Sequence, residues 1–302
     1  MATGIAWVLN LDADLELGAE AAGGGGRPYD RTGPVARAMK VPVARLARTL
    51  LGPGDLLIDE RSDAGVARGR VGRAFCPTRR AIAVLTRGGA LPEPCPPVDV
   101  LCRVNSRAFA AALGPTLPGA AFVTELGVAM MTLRERPPVG EAWRVKYAFG
   151  MAGRNQRVVS PSSLDPHLAF VARGLARGGL QIEPNVAIEE EYAVHAFLPR
   201  GGPAVVGAVV GQRCDARGAW LGAVPLASRA LAMADLPERL EGECRRVAEA
   251  LAAAGYFGPF GVDAYSYRDD RGALCFQPRS EINARYSMGF PRELVPLRSG
   301  SV

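Results

Sequence analysis

Residues 255–289 read GYFGPFGVDAYSYRDDRGALCFQPRSEINARYSMG. Two strands joined by a turn account for most of them. Phe260 to Tyr267 is rich in aromatic and β-compatible residues, Asp269-Asp270-Arg271-Gly272 supplies turn chemistry, and Ala273 to Gln277 forms the return strand. Such a hairpin carries Asp263 on one arm, with Glu281 and Asn283 just past the other. Alternate residues of an extended segment point to one face, so Glu281, Asn283 and Arg285 can aim into one pocket. Two carboxylates and a carboxamide at a strand end are hard oxygen ligands that suit Mg²⁺. That ion keeps several waters and shares its other positions between one or two carboxylates and substrate phosphates.

Immediately upstream, Pro237 to Ala254 has Leu240, Cys244, Val247, Ala248 and Leu251 at helical spacing, with Glu and Arg opposite and Gly255 as the stop. This helix is expected to pack behind the hairpin. Ala204 to Arg213 and Ala219 to Pro225 read as strands, and Arg213 is a residue that can face the pocket. Glu189-Glu190-Glu191 heads another strand, in which Tyr192, Val194, Ala196 and Leu198 share one face and Glu191, Ala193 and His195 the other. A histidine on a sheet face is more often packed than catalytic. Pro184, next to Glu183, is expected to stop strand pairing and leave main-chain groups free for a ligand.

In Trp143 to Arg154, WRVKYAFGMAGR, apolar Trp143, Val145 and Tyr147 alternate with Arg144 and Lys146 as in a half-exposed strand. Gly150 and Gly153 follow, in a turn whose N–H groups can face an anion while a nearby ammonium neutralises phosphate charge. Lys40 and Lys146 are the only lysines among 36 basic residues.

The first third alternates strands with short helices, as expected of a small α/β unit. Ile5 to Leu9, Leu56 to Ile58 and Val98 to Leu101 read as strands. Pro34 opens a helix that Pro42 is expected to interrupt, and Glu60 to Arg73 reads as a mobile loop. Gly23 to Gly26 reads as a flexible connection, since no Lys-Ser/Thr follows to make a phosphate loop.

The 302 residues can bury a full core, and 48% of them are hydrophobic. No apolar run approaches the roughly 20 residues of a membrane helix, and the N-terminus has no basic segment of the secretory type. Six cysteines without a C-x-x-C pair argue for a reduced, cytoplasmic protein lacking structural zinc. The net charge of +6 is spread along the chain among acids with few aromatics, which argues against nucleic acid as a partner.

GVDAY followed by EINAR resembles the metal-binding end of the ATP-grasp superfamily, and Lys146, the glycine loop, E-P-x-V, a strand-head Glu, G-V-D and E-x-N occur in family order. The resemblance covers about residues 103 to 290. It implies an α+β ATP-grasp fold, two α+β subdomains gripping ATP (104–302), preceded by a small α/β domain (1–103). It also implies ATP and Mg²⁺, with Asp263, Glu281 and Asn283 as metal ligands. Lys146 would bind the α- and β-phosphates under a loop closing from Gly150 through Gly153 to Arg154. Glu183, with the hinge through Val186, would meet the adenine, and Glu191 (or Glu189) the ribose. Arg154 and Arg285 are the residues implied for catalysis, Arg285 holding the transferred phosphoryl group or an acidic substrate. The family's first phosphate-contacting lysine is missing, and Arg103 and Arg107 are the nearest cations. The implied activity joins a small-molecule carboxylate to an amine or thiol through an acyl phosphate, releasing ADP. A regulatory ATP-binding module and a phosphotransferase to a hydroxyl remain open, as does oligomeric state, a homo-oligomer included.

Overall fold

The computed structural model describes residues 4–23, 29, 31, 33–151, 153–215, 220–226 and 235–296, and three sheets organise them. The first is parallel, in the order β2 (Leu56–Leu57), β1 (Ala6–Val8), β3 (Val71–Ala74), β4 (Leu91–Pro92). Helix α1 (Ala13–Ala21) follows β1, α2 (Gly33–Leu50) leads to β2, and α3 (Arg79–Arg87) connects β3 to β4. Thr78 caps α3 by accepting from Ala81 N.

The second sheet has four antiparallel strands in the order β5 (Ala121–Val123), β8 (Leu180–Pro184), β6 (Trp143–Tyr147), β7 (Gln156–Val159). Helices α6 (Leu126–Arg134) and α7 (Leu168–Leu175) share a core with it that includes Leu133, Trp143, Val145, Phe170 and Ile182. The third sheet has five antiparallel strands: β11 (Trp220–Val224), β10 (Val205–Cys214), β9 (Ala187–Leu198), β12 (Gly258–Arg268), β13 (Leu274–Asn283). Helix α8 (Leu236–Ala253) crosses β9, β10, β12 and β13, burying Leu240, Cys244, Val247 and Leu251 against them. Gly255, at φ +80°, lets the chain turn into β12, a conformation that costs other L-residues.

The hairpin at 255–289 forms, with its turn held by Asp269 Oδ1, which accepts from Arg271 N and Ala273 N, but the return arm runs on to Asn283, so Glu281 and Asn283 lie within the strand rather than just past it. Several sequence expectations need correction. Val98 to Leu101 is not a strand but part of helix α4 (Val98–Val104), which packs on α1 and is followed by the Ser106-capped α5 (Arg107–Ala112). Four residues, three of them apolar, carry no period long enough to separate helix from strand. Helix α2 runs unbroken through Pro42, with Met39, Leu46 and Leu50 buried on one side. The stretch 60–73 ends inside β3, and Arg73 there is buried in an ion pair with Glu93. Pro184 does not stop pairing short of itself: it lies opposite Trp143, and Asn185 N still donates to Ala142 O. The expected glycine connection at 24–26 lies outside the described residues. No helix among the described residues is long and apolar enough to cross a membrane, and all six cysteines are free.

Leu251 is fully buried between α8 and the five-stranded sheet. Leu251→Ala is expected to cost about 2–5 kcal/mol, measured as a lowered denaturant midpoint. A midpoint within error of wild type would show that the helix does not depend on this contact.

Candidate active site

A cleft of about 1400 Å³ lies between the two antiparallel sheets, larger than most small-ligand pockets. Its floor is a row set by strand register. Asp263 on β12 lies opposite Glu281 on β13 and Ala193 on β9. Asn283 lies opposite Gly261, two positions along, so its side chain emerges on the same face and its Nδ2 donates to Asp263 Oδ2 at 2.8 Å. Gln212 on β10 reaches Asp263 Oδ1 at 3.0 Å and also bonds Tyr192 O.

Burial first, and the neighbouring Glu281 charge second, push the Asp263 carboxyl up to about 7, against the opposing pull of Gln212, Asn283 and Arg285. Two carboxylates held this close need a cation, and a divalent ion bound by Asp263, Glu281 and the Asn283 amide oxygen would relieve that repulsion. The donor set is all oxygen, which fits Mg²⁺ with water and phosphate completing its shell. Among the described residues, no group of three or more His, Cys, Asp or Glu side chains is placed to hold a metal. The ligand supply is thus two carboxylates and an amide.

Of the two open alternatives for the first cation, Arg107 lines the cleft, whereas Arg103 is exposed and bonds Ala254 O. Arg107 donates to Glu281 Oε1 at 2.6 Å and to Tyr147 O at 2.8 Å. The glycine loop presses on it: a Cβ at Gly150 would stand 2.9 Å from Arg154 O and 3.0 Å from Arg107 Nη1. Gly153, at φ +72°, permits the turn that follows. Lys146, Gly150, Arg154 and Arg213 also line the cleft.

Lys146 Nζ is 2.6 Å from Glu183 Oε1, and both side chains are largely buried. Here the structure departs from the sequence expectation: the Glu183 carboxylate, expected to meet adenine, is bonded to the expected phosphate lysine. Val186 and Glu191 line the cleft, with Glu191 two positions from Ala193 on the Asp263 face. Glu189 is paired with Arg268.

Arg285 does not line this cleft. Its guanidinium is buried over the Phe75 ring and forks onto Asp14, Nε to Oδ1 at 3.1 Å and Nη2 to Oδ2 at 2.6 Å. Burial works against its charge, but Asp14 more than offsets this and holds its pKa above the usual value. The expected direct contact of Arg285 with a phosphoryl group or acidic substrate is therefore corrected: its donors are taken by Asp14 and Tyr286 O. Gln212 was missed in the sequence because nothing local marks it; its place in the alternation of β10 was the one available signal.

No protein-family model and no curated protein matches the sequence. Solved structures do. N5-carboxyaminoimidazole ribonucleotide synthetase from Thermus thermophilus aligns over 93% of this chain and 71% of its own, at 18% identity and TM-score 0.50. Biotin carboxylase from Campylobacter jejuni, in a β-γ-ATP complex, aligns over 93% and 65%, at 12% identity and TM-score 0.52. The biotin carboxylase domain of 2-oxoglutarate carboxylase from Hydrogenobacter thermophilus, with MgADP, ADP and bicarbonate, aligns over 95% and 65%, at 14% identity and TM-score 0.52. The chain has the ATP-grasp fold, an α+β arrangement with its cleft between two antiparallel sheets.

The Asp263 environment makes a pH prediction. The unfolded chain releases this proton near 3.8 and the folded protein at about 7. Between those values the unfolded state binds fewer protons, so the group's contribution to stability is full below pH 4 and is lost as pH rises through 7. Asp263→Asn has no charge to lose. Without divalent metal, the Tm difference, variant minus wild type, should grow more positive from pH 5 to pH 8. A constant or falling difference would mean that Asp263 ionises as an ordinary carboxyl.

Proposed function

We propose that this chain is an ATP-dependent, ADP-forming ligase that activates a small-molecule carboxylate as an acyl phosphate and joins it to an amine. One observation carries the reading: the Asp263–Glu281–Asn283 row faces a deep cleft whose cations, Arg107 and Lys146, are held on carboxylates of that same cleft. Pure nucleotide binding needs less than a complete oxygen set for a metal. The fold similarity to a synthetase and to carboxylase domains crystallised with nucleotide adds support.

In this reading the chain divides at about residues 103 and 104, into a small α/β domain and the ATP-binding module. Asp263, Glu281 and Asn283 would hold Mg²⁺, which would supply charge neutralisation for the phosphates. Arg107 and Lys146 exchange their carboxylate partners for phosphate oxygens, a charge-assisted contact of the same strength class. Glu183 is then released toward the adenine amino group at the hinge through Val186, and Glu191 takes the ribose hydroxyls. The loop from Gly150 through Gly153 to Arg154 closes over the phosphates and excludes water. Arg285, forked onto Asp14, acts as a positioning residue that fixes the end of β13 against α1. The acceptor carboxylate attacks the γ-phosphorus, forming the acyl phosphate as the bond to ADP breaks. The amine then adds to the acyl carbon and phosphate leaves. The protein's share is positioning and charge neutralisation, which needs no nucleophilic side chain.

Purified protein should bind Mg-ATP and hydrolyse it slowly alone. A screen of small carboxylates paired with amines should find a combination that speeds release of ADP and phosphate, with no AMP or pyrophosphate. Hydroxylamine should trap the intermediate as a hydroxamate only when the carboxylate is present. Glu281→Gln, which removes one metal ligand at constant shape, should reduce this turnover by roughly a hundred-fold or more. A phosphorylated hydroxyl product would transfer the assignment to a kinase. Tight ATP binding with no acceptor-dependent turnover would make the chain a regulatory module.

A further inference from the structure

The nucleotide scheme leaves part of the cleft wall unused. Adenine and ribose take the end at Glu183, Val186 and Glu191, and the phosphates take Arg107, Lys146 and the metal row. Six apolar residues also line this cleft: Ala38, Met39 and Pro42 of α2, Met151, and Leu221 and Val224 of β11. Leu221 is 44% exposed, while Pro42, Met151 and Val224 are half-buried, so this surface is open to a ligand rather than spent on the core.

Their place in the fold is the phosphate end. Met151 directly follows Gly150, the glycine that lies against Arg107. Ala223 on β11 lies opposite Gln212 on β10, the residue that holds Asp263. Strand β11 thus runs about 5 Å, one strand spacing, from the strand that carries that bond. Helix α2 is tied to the same strand, because Arg45 Nη1 donates to Leu221 O at 3.3 Å and to Trp220 O at 3.4 Å. The helix and the strand therefore meet at one corner of the cleft. A triphosphate has no use for apolar side chains there, and the adenine is assigned to the far end.

The charge around the corner is positive. Helix α2 carries Arg37, Lys40, Arg45 and Arg48 and no acid, and Arg213, opposite Gly222 of β11, also lines the cleft. Such a field favours an anion. We propose that this corner holds the acceptor substrate, and that the acceptor is a carboxylate with an apolar body, an aliphatic or aromatic chain of several carbons. Its chain lies on Met39, Met151 and Leu221 while its carboxylate faces the metal row. This rests on the ligase reading, which supplies the carboxylate, and it makes the α2 and β11 side chains specificity-determining residues. Size agrees: the cleft, at about 1400 Å³, exceeds the roughly 300–1,000 Å³ of a single small-ligand pocket, leaving room for nucleotide and acceptor together.

The test uses the full chain with ¹³C-methyl methionine. There are seven methionines, and Met39→Leu and Met151→Leu identify two methyl signals by their loss. Acetate, butyrate, hexanoate and succinate are titrated with and without Mg-ADP. The Met39 and Met151 signals should shift saturably, with a midpoint that falls about four-fold for each added methylene. Succinate, as long as butyrate but charged at both ends, should bind more weakly than butyrate by roughly ten-fold. Leu221→Asp, at an exposed position, should raise the hexanoate midpoint by roughly ten-fold or more. Val41→Asp, on α2 but outside the cleft wall and 70% exposed, should leave it unchanged. Midpoints indifferent to chain length, or succinate binding as well as butyrate, would overturn the proposal from wild-type protein alone. A folded Leu221→Asp with an unchanged hexanoate midpoint would do the same. Hydroxamate formation with Mg-ATP and hydroxylamine separates the two readings. Hydroxamate from acetate or succinate in preference to hexanoate would refute the apolar acceptor and leave the ligase reading standing. Length-dependent binding with no hydroxamate from any carboxylate would uphold the apolar site and refute the ligase reading.

Discussion

The constraint on which the rest of the structure depends is a largely buried carboxyl, Asp263, placed directly opposite the partly exposed carboxylate of Glu281 on the adjacent strand. A second negative charge so close opposes ionisation of the buried one unless it is compensated. The protein surrounds them accordingly. Gln212 and Asn283 donate to Asp263, Arg107 neutralises Glu281, and Arg285, fixed by Asp14, contributes positive potential from behind. Much of the fold serves that compensation. Strand β10 brings Gln212, α5 brings Arg107, and α1 of the parallel-sheet region brings Asp14 to clamp the arginine.

A second pair repeats the pattern, since Lys146 rests on Glu183. Two of the cleft's cations are thus held by two of its carboxylates. Leaving Lys146 or Glu183 unpaired at its depth would be costly, and the two pairs together keep all four charges compensated. On the proposed reading, Mg-ATP exchanges both pairs at once: phosphate takes the cations, while metal and adenine take the carboxylates. Nucleotide and metal would therefore bind cooperatively, because each leaves a charge exposed unless the other is present. The glycine loop belongs to the same design, since only a residue without Cβ at 150 lets the loop lie against Arg107.

What the sequence made legible follows from the range of the interactions. Helix α8, strand β6 and the turn and first arm of the hairpin are set by alternation, helical period and turn residues within a few positions, and each is found where those signals put it, whereas the return arm runs past Gln277 to Asn283. The juxtaposition of Asp263 with Glu281 is only partly local: the turn pairs Tyr265 with Gln277, and a register shift beyond that pair brings Glu281 opposite Asp263. Interactions that decide electrostatics were not legible. Arg107 is 174 residues from Glu281, and Asp14 is 271 residues from Arg285, so no spacing rule could connect them. Hence spacing alone leaves Arg107 level with Arg103 and leaves Arg285 open to substrate. Short apolar runs failed for another reason. Val98 to Leu101 suits either helix or strand until Val100 and Leu101 are packed on α1, and tertiary contact chooses.

The central claim is that the Asp263–Glu281–Asn283 row holds a metal against nucleotide phosphates. Crystals of the protein grown with ADP and Mn²⁺ test it directly, since Mn²⁺ takes the same oxygen ligands as Mg²⁺ and can be located by its anomalous scattering. The account predicts an anomalous peak bridging Asp263 and Glu281, with Arg107 moved from Glu281 onto phosphate oxygen and Lys146 moved from Glu183. Bound ADP with no peak at these carboxylates, and with Arg107 and Lys146 still on Glu281 and Glu183, would contradict it.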